Sequence, residues 1–267
     1  MLRSLKELYG YNIQASDGEI GTVHDFYFDE KGWTTRYLVV NTGPWFLGKK
    51  VLIAPDALGQ PDWIAENFPV NLTRQKIKDS PSIDTALPIS EQQQALLNEY
   101  FHWPASWTAT ATLKPNNPIV PIIYQKNTQK QKDPKREVLK NMMRRNNSLR
   151  SSKEVIGYTV SGEDDTLGKV DDIILDDESW RLVYIVLDTS TGLLKGKKTL
   201  IALPWINWIS YMDREVRLAL SQQIIEDSPP YDPETPITQS FEKVLYDYHG
   251  RPYLETEKST TPGLSIT

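Results

Sequence analysis

The residues available for chemistry are three histidines, an acidic stretch, a basic stretch and a set of tryptophans; there is no cysteine. Without a thiol, thiolate nucleophiles, disulfide frameworks and Cys-type zinc or iron–sulfur sites are excluded. His24, His102 and His249 stand far apart in the chain. An imidazole without an orienting partner cannot activate a nucleophile, so surface or packing roles are expected for all three. Gly43 and Gly48 are spaced singly and belong to a hairpin, not to a phosphate-cradling loop between strand and helix.

Glu163, Asp164, Asp165, Asp171, Asp172, Asp176, Asp177 and Glu178 form the acidic stretch. A hard cation such as calcium wants about six to eight oxygens around a tight loop. The order here does not match an EF-hand, and these carboxylates straddle a predicted strand. A solvated acidic face is the expectation, with a divalent-ion-binding or enzymatic edge as the alternative.

Residues 108–150 hold ten Lys or Arg against Asp133 and Glu137, whereas 151–190 hold ten Asp or Glu against Lys153, Lys169 and Arg181. The net charge of −5 hides this contrast. Lys135, Arg136, Lys140, Arg144 and Arg145 are the candidate anion or RNA contacts, backed by Lys130 and Lys132. Phosphate binding through them would weaken steeply with salt. The whole chain is acidic, however, and no aromatic residues interleave with these charges, so an electrostatic clasp onto the acidic edge, or simple solvation, is preferred. The aromatic residues are the better site candidates: Trp45 and Phe46 at a hairpin tip, Trp103 and Trp107 after a helix, and Trp205 and Trp208. Most tryptophans should plug apolar interiors, and any left exposed suits a protein interface.

What positions these groups is a duplication. Lys6-Glu7-Leu8-Tyr9-Gly10-Tyr11 returns as Lys153-Glu154-Val155-Ile156-Gly157-Tyr158. Gly21, Asp25, Asp29, Trp33 and Tyr37 meet Gly168, Asp172, Asp176, Trp180 and Tyr184 at one spacing. The spacing slips by one residue in a turn and then holds, so that Lys49-Lys50 meets Lys197-Lys198 and Asp79-Ser80-Pro81 meets Asp227-Ser228-Pro229. None of the histidines recurs, since Asp171, Gly250 and Phe101 stand in their places. A register kept this long means two units of one fold, each enclosing its own apolar interior, not a solenoid. The recurrence of Asp25/Asp172 and Asp29/Asp176 points to turns closed by Asx hydrogen bonds.

Within each copy the apolar residues favour period two, and Thr35–Val40 and Arg181–Leu187 fill both faces with β-branched and aromatic types. Asp17-Gly18 supplies a tight hairpin turn; Asp164-Asp165 replaces it without a glycine, so the second turn must be built differently. Several short strands at close spacing indicate a small barrel or sandwich, closed to leave little free edge. Thr73–Lys78 and Ser221–Glu226 read as helical turns stopped by Pro81 and Pro229. A second helix follows in each copy, begun by Ser90 with Gln93 in a capping box, and by Thr238. Phe241, Val244, Leu245 and Tyr248 make an apolar stripe on the latter, matched by Gln93, Leu96, Leu97 and Tyr100. The connector is too apolar at Ile119–Tyr124 for a purely solvated linker, and Asp133-Pro134 resembles a helix start.

The run Asp17-Gly18-Glu19-Ile20-Gly21-Thr22-Val23-His24-Asp25, with Trp33, Arg36-Tyr37-Leu38-Val39-Val40 and Gly48-Lys49-Lys50-Val51-Leu52-Ile53, resembles the PRC-barrel family. Leu167-Gly168-Lys169-Val170-Asp171-Asp172 with Trp180 and Tyr184–Leu187 looks like a second member, and Tyr246–Tyr253 is similar to the ending of bacterial tandem proteins of this kind. The family takes its name from the cytoplasmic domain of the photosynthetic reaction-centre H subunit and includes the barrel of a ribosome-maturation factor. The resemblance implies a mainly β fold of two small PRC-type β-barrels, each followed by short α-helices. It implies a docking and assembly role, and no catalytic motif to carry over. The expected layout is a first barrel with its helix over 1–107, a basic connector over 108–150, a second barrel with its helix over 151–254 and a tail over 255–267. No cofactor and no metal are expected. The expected function is that of a non-enzymatic, cytoplasmic binding protein without a transmembrane segment. Its partner is an unidentified protein, with self-association left open and an RNA- or ribosome-associated role as the alternative reading.

Overall fold

A computed structural model describes residues 1–30, 32–43, 48–81, 91–103, 149–190 and 196–253. The candidate residues Trp45, Phe46, Trp107, Lys135, Arg136, Lys140, Arg144 and Arg145 lie outside them, as do the Ser90 cap and almost all of the basic connector.

The first half opens with β1 (Leu2–Ser4) and a single helical turn, α1 (Leu5–Leu8). It continues through β2 (Asn12–Ala15), β3 (Gly18–Asp29), β4 (Thr34–Thr42), β5 (Lys50–Ile53) and β6 (Asn67–Pro69) to α2 (Arg74–Lys78) and α3 (Glu91–Phe101). The second half repeats the order: β7 (Leu149–Ser151), α4 (Ser152–Val155), β8 (Thr159–Ser161), β9 (Thr166–Asp176), β10 (Arg181–Asp188) and β11 (Lys198–Ala202). It then adds β12 (Ile206–Ser210), β13 (Glu215–Leu218), α5 (Gln222–Asp227) and α6 (Gln239–Tyr248). The fold is mainly β, with a curled half-barrel sheet and a few short helices.

The turns follow from their residues. Gly18 takes φ +143° at the first hairpin. The glycine-free counterpart is a longer loop, closed by the Gly162 amide donating to the Asp165 carbonyl and by the Thr166 amide donating to Asp165 Oδ1. Asp17 Oδ1 accepts from the Arg74 amide and Asp164 Oδ1 from the Gln222 amide, so each first-turn aspartate ties its hairpin to the start of α2 or α5. Thr238 caps α6 by accepting from the Phe241 amide. The apolar stripe on that helix is narrower than expected: Leu245 is buried and Phe241 half-buried, while Val244 and Tyr248 face outward. Leu97 and Leu96 divide in the same way on α3.

One expectation is corrected by the strand pairing. Among the described residues the strands of both halves join in one sheet, running β12-β13-β8-β9-β10-β4-β3-β2-β6, with β1, β5, β7 and β11 paired off this path. The halves also do not keep separate interiors, because one cluster joins Leu5, Phe26, Phe28 and Phe68 with Tyr158, Ile173, Tyr184 and Leu245. The reason is an exchange of first strands. β1 pairs with β9 of the other half (Leu2↔Asp176, Ser4↔Ile174), and β7 pairs with β3 (Leu149↔Asp29, Ser151↔Tyr27). Each half lends its opening strand to the other, about a pseudo-twofold axis.

Candidate functional site

At each exchange a one-turn helix begins with Ser-x-x-Glu, a capping box. Ser4 Oγ accepts from the Glu7 amide at 3.2 Å and Ser151 Oγ from the Glu154 amide at 3.1 Å. The same hydroxyls donate onward, Ser4 to Asp172 and Ser151 to Asp25 Oδ2 at 2.5 Å. The Lys6 amide donates to Asp172 Oδ1 and the Lys153 amide to Asp25 Oδ1, both at 3.2 Å. Asp25 and Asp172 are therefore not mainly Asx-turn residues, although each accepts from the next amide in its own chain. They are buried acceptors that receive the helix start of the opposite half. β-Bulges aim them: the ladder slips between Val23 and Asp25, and between Val170 and Asp172, which turns the carboxylate onto the face that meets the exchanged strand. Ser152 adds a bond in one half only, donating to Asp25 Oδ1 at 2.8 Å and meeting the Tyr9 hydroxyl at 2.8 Å.

A second pair of contacts flanks the clasp. Arg3 Nε donates to Asp177 Oδ2 at 2.6 Å with its guanidinium 3.6 Å over Trp63. Arg150 Nε donates to Glu30 Oε2 at 2.8 Å with its guanidinium 3.8 Å over Tyr211. Planar guanidinium suits both jobs at once, ion pair along one edge and stacking on one face. The expected clasp of residues 130–145 onto the acidic edge lies outside the described residues; Arg150, which follows that stretch, meets Glu30 in the first half. These residues, with Ser4 and Ser151, escaped the sequence reading. Their signal was the recurrence of Arg immediately before each Ser-x-x-Glu helix start.

The acidic stretch is dispersed into separate roles. Asp164 caps a helix, Asp171 bridges Lys6 and Lys198 at 2.6 and 2.8 Å, Asp172 is buried in the clasp and Asp177 holds Arg3. Asp176 closes an Asx turn by accepting from the Glu178 and Ser179 amides, as its recurrence suggested; Asp29 pairs with Arg36 at 3.2 Å.

The histidines and tryptophans separate by burial. His249 packs 4.5 Å from the Trp205 ring and its Nε2 meets Ser228 Oγ at 3.3 Å; burial, with Arg251 nearby, lowers its pKa to about 4. Trp205 is buried against Tyr246 and His249. Trp103 is half-buried, stacked on Phe101 and near Tyr37. Trp208 is 48% exposed on β12, and Met212, in the turn that follows, is 54% exposed. Among the described residues β12 pairs with β13 alone, so it forms one open end of the sheet. Of the predicted surface, the described part thus places Trp208 outward, Trp205 inward and Trp103 between.

No helix of the described residues is long and apolar enough to cross a membrane. A search of curated proteins returns no match. The description PRC-barrel domain matches residues 2–59 and 149–219, segments that begin at the exchanged strands and take in the clasp, the bulges and the central hairpins of both halves. By that match these two segments are of the PRC-barrel family, and the curled sheet is that of a PRC-type barrel.

Proposed function

We propose that this chain is a non-enzymatic binding and assembly protein, built from two PRC-barrel domains, that presents a protein–protein interaction surface. The observation that carries the reading is the open end of the sheet at β12 and β13, where Trp208 and Met212 are exposed. Tryptophan is enriched in the energetic centres of interfaces, and an edge strand offers unpaired main-chain groups to a partner. The polar groups with chemical potential support it from the other side. Asp25, Asp172, Arg3 and Arg150 are engaged in joining the halves, which suits a rigid presenting scaffold.

The test is affinity capture from the native cell with the full chain and with a Trp208→Ser, Met212→Ser variant, followed by identification of what co-purifies. A protein retained by the parent and lost by an equally stable variant supports the reading. Capture of RNA in place of protein, or turnover of a small molecule, would replace it.

A further inference from the structure

The two halves differ at two pairs of equivalent positions in a way that leaves charge without its counterpart. In the second half Asp171, the bulge residue of β9, receives Lys6 Nζ on Oδ1 and Lys198 Nζ on Oδ2. Asp188, opposite Lys198 on the ladder, adds a further negative charge beside that lysine. In the first half both lysines are kept, as Lys153 and Lys50, and both carboxylates are gone: His24 stands for Asp171 and Asn41 for Asp188. The backbone is the same, since Lys50 pairs with Asn41 as Lys198 pairs with Asp188, and His24 occupies the same bulge between Val23 and Asp25.

Among the described residues neither Lys50 nor Lys153 has a carboxylate salt-bridge partner. Lys153 Nζ instead rests 4.6 Å over the Tyr9 ring. Asp25 is adjacent, but it is buried and receives Ser151 and Ser152. Both lysines act on His24, whose pKa is lowered by burial first and by Lys153 and Lys50 next. The second half shows what fits such a pair: two oxygens of one anion, bridging two ammonium groups with charge-assisted hydrogen bonds.

We propose that Lys50, Lys153 and His24 form a binding site for a small oxyanion, phosphate or carboxylate, held between the two lysines and beside the imidazole that replaces the Asp171 side chain. His24 faces the same anion and gains a proton more readily once it is bound. Lysine serves as a point-charge phosphate binder, and with Lys153 exposed and Lys50 half-buried an affinity of about millimolar is expected.

The experiment is a titration of the full chain with inorganic phosphate, and in a parallel arm with acetate, read by calorimetry and by the imidazole resonance of His24. One bound anion is expected, with an upward move of the His24 pKa. The arm with the stronger response identifies the source, phosphate or carboxylate. His24→Asp should supply the anion internally, abolishing binding and raising Tm. Asp171→His should open the equivalent site and give two anions per chain. Lys50→Gln should weaken binding about tenfold. Binding unchanged in both His24→Asp and Lys50→Gln, or no binding in either arm, overturns the proposal. That result leaves the reading of the β12 surface standing, since no residue is shared.

Discussion

Thr34 on β4 lies directly opposite Arg181 on β10, and Arg181 is the residue that occupies the position of Thr34 in the second half. A residue that faces its own counterpart marks the pseudo-twofold axis. The neighbouring bonds confirm it: the Thr35 amide donates to the Trp180 carbonyl at 2.8 Å, and the Leu182 amide to the Trp33 carbonyl at 2.7 Å. Trp33 and Trp180 sit at φ +51° and +56°, so the hairpin turns that bring β4 and β10 together hold a left-handed tryptophan each. Central hairpins abut at the axis, exchanged strands lie to either side, and the result is one sheet with a main core shared by both halves, beside a smaller cluster of Tyr37, Leu52, Leu97 and Phe101 in the first half.

A shared core predicts one unfolding transition. Asp25→Ala removes the acceptor of Ser151, Ser152 and two amides, leaving buried donors unpaired. We expect a loss of about 2–4 kcal/mol in urea unfolding, with the transition still single and its slope unchanged. Two resolved transitions would contradict joint folding of the halves.

Adjacent aspartates on β9 should respond to pH with opposite sign. Burial pushes the Asp171 carboxyl up, but hydrogen bonds from Lys198 and Lys6 outweigh it and leave the group below the usual carboxylate range. Its contribution to stability is present above the unfolded value and is lost as pH falls through the folded one. Burial raises Asp172 despite the bonds from Ser4 and two amides. Its contribution is complete below the unfolded value and is lost as pH rises through the folded one. The Tm difference between parent and Asp171→Asn should therefore close on acidification, whereas that between parent and Asp172→Asn should shift in favour of the parent. A Tm series from neutral pH into the carboxylate range reads both.

Much of this fold was legible in the chain, and the unread part has a physical cause. Strand periodicity, Asp17-Gly18 and the Thr238 cap act over a few residues, so local pattern determines them. The exchange of β1 and β7 is different. β3 and β9 are copies, so Leu2–Ser4 would satisfy the same apolar pattern on either, and no periodicity separates pairing within a half from pairing across. The roles of Asp25 and Asp172 went unread for that reason, because their partners come from the other half. Trp208 and Trp205 looked alike as sequence; the difference is that Tyr246 and His249 of α6 and its end cover only Trp205.

Gly21 and Gly168 are expected to resist substitution. A Cβ would lie 2.1 Å from the Asn41 carbonyl oxygen and 2.1 Å from that of Asp188, at φ +155° and +153°. Backbone on both sides of the contact has nowhere to move without opening the ladder. Alanine at either should cost about 2–4 kcal/mol, strain plus overpacking. Gly10, at φ +92° with open space around its Cβ direction, is the control, at about 1 kcal/mol. Equal losses at Gly10 and Gly21 would show that conformation alone, not crowding, is decisive.

Arg150 and Tyr211 should be energetically coupled. The guanidinium lies 3.8 Å over the ring while Glu30 holds its edge, and the arginine is 7% exposed. A double-mutant cycle with Arg150→Met and Tyr211→Leu is expected to give about 0.5–2 kcal/mol of interaction. The same cycle at Arg3 and Trp63 should agree in sign, since the geometry there is equivalent. Additive effects at both would reduce the stacking to coincidence and leave Glu30 and Asp177 as the operative partners.

Acid should loosen α6 through His249. Burial first, and the Arg251 cation second, lower its pKa to about 4, so the folded state holds the imidazole neutral against Trp205. A lowered folded value means that the stabilising contribution is present above the ordinary histidine value and is lost as pH falls from there toward about 4. His249→Phe keeps the ring packing and removes the titration. The parent should lose Tm relative to this variant across that window, with Trp205 fluorescence changing in the parent alone. Parallel curves would mean that protonation is accommodated without undocking, and that Leu245 and Tyr246, packed into the shared core, suffice to hold the helix.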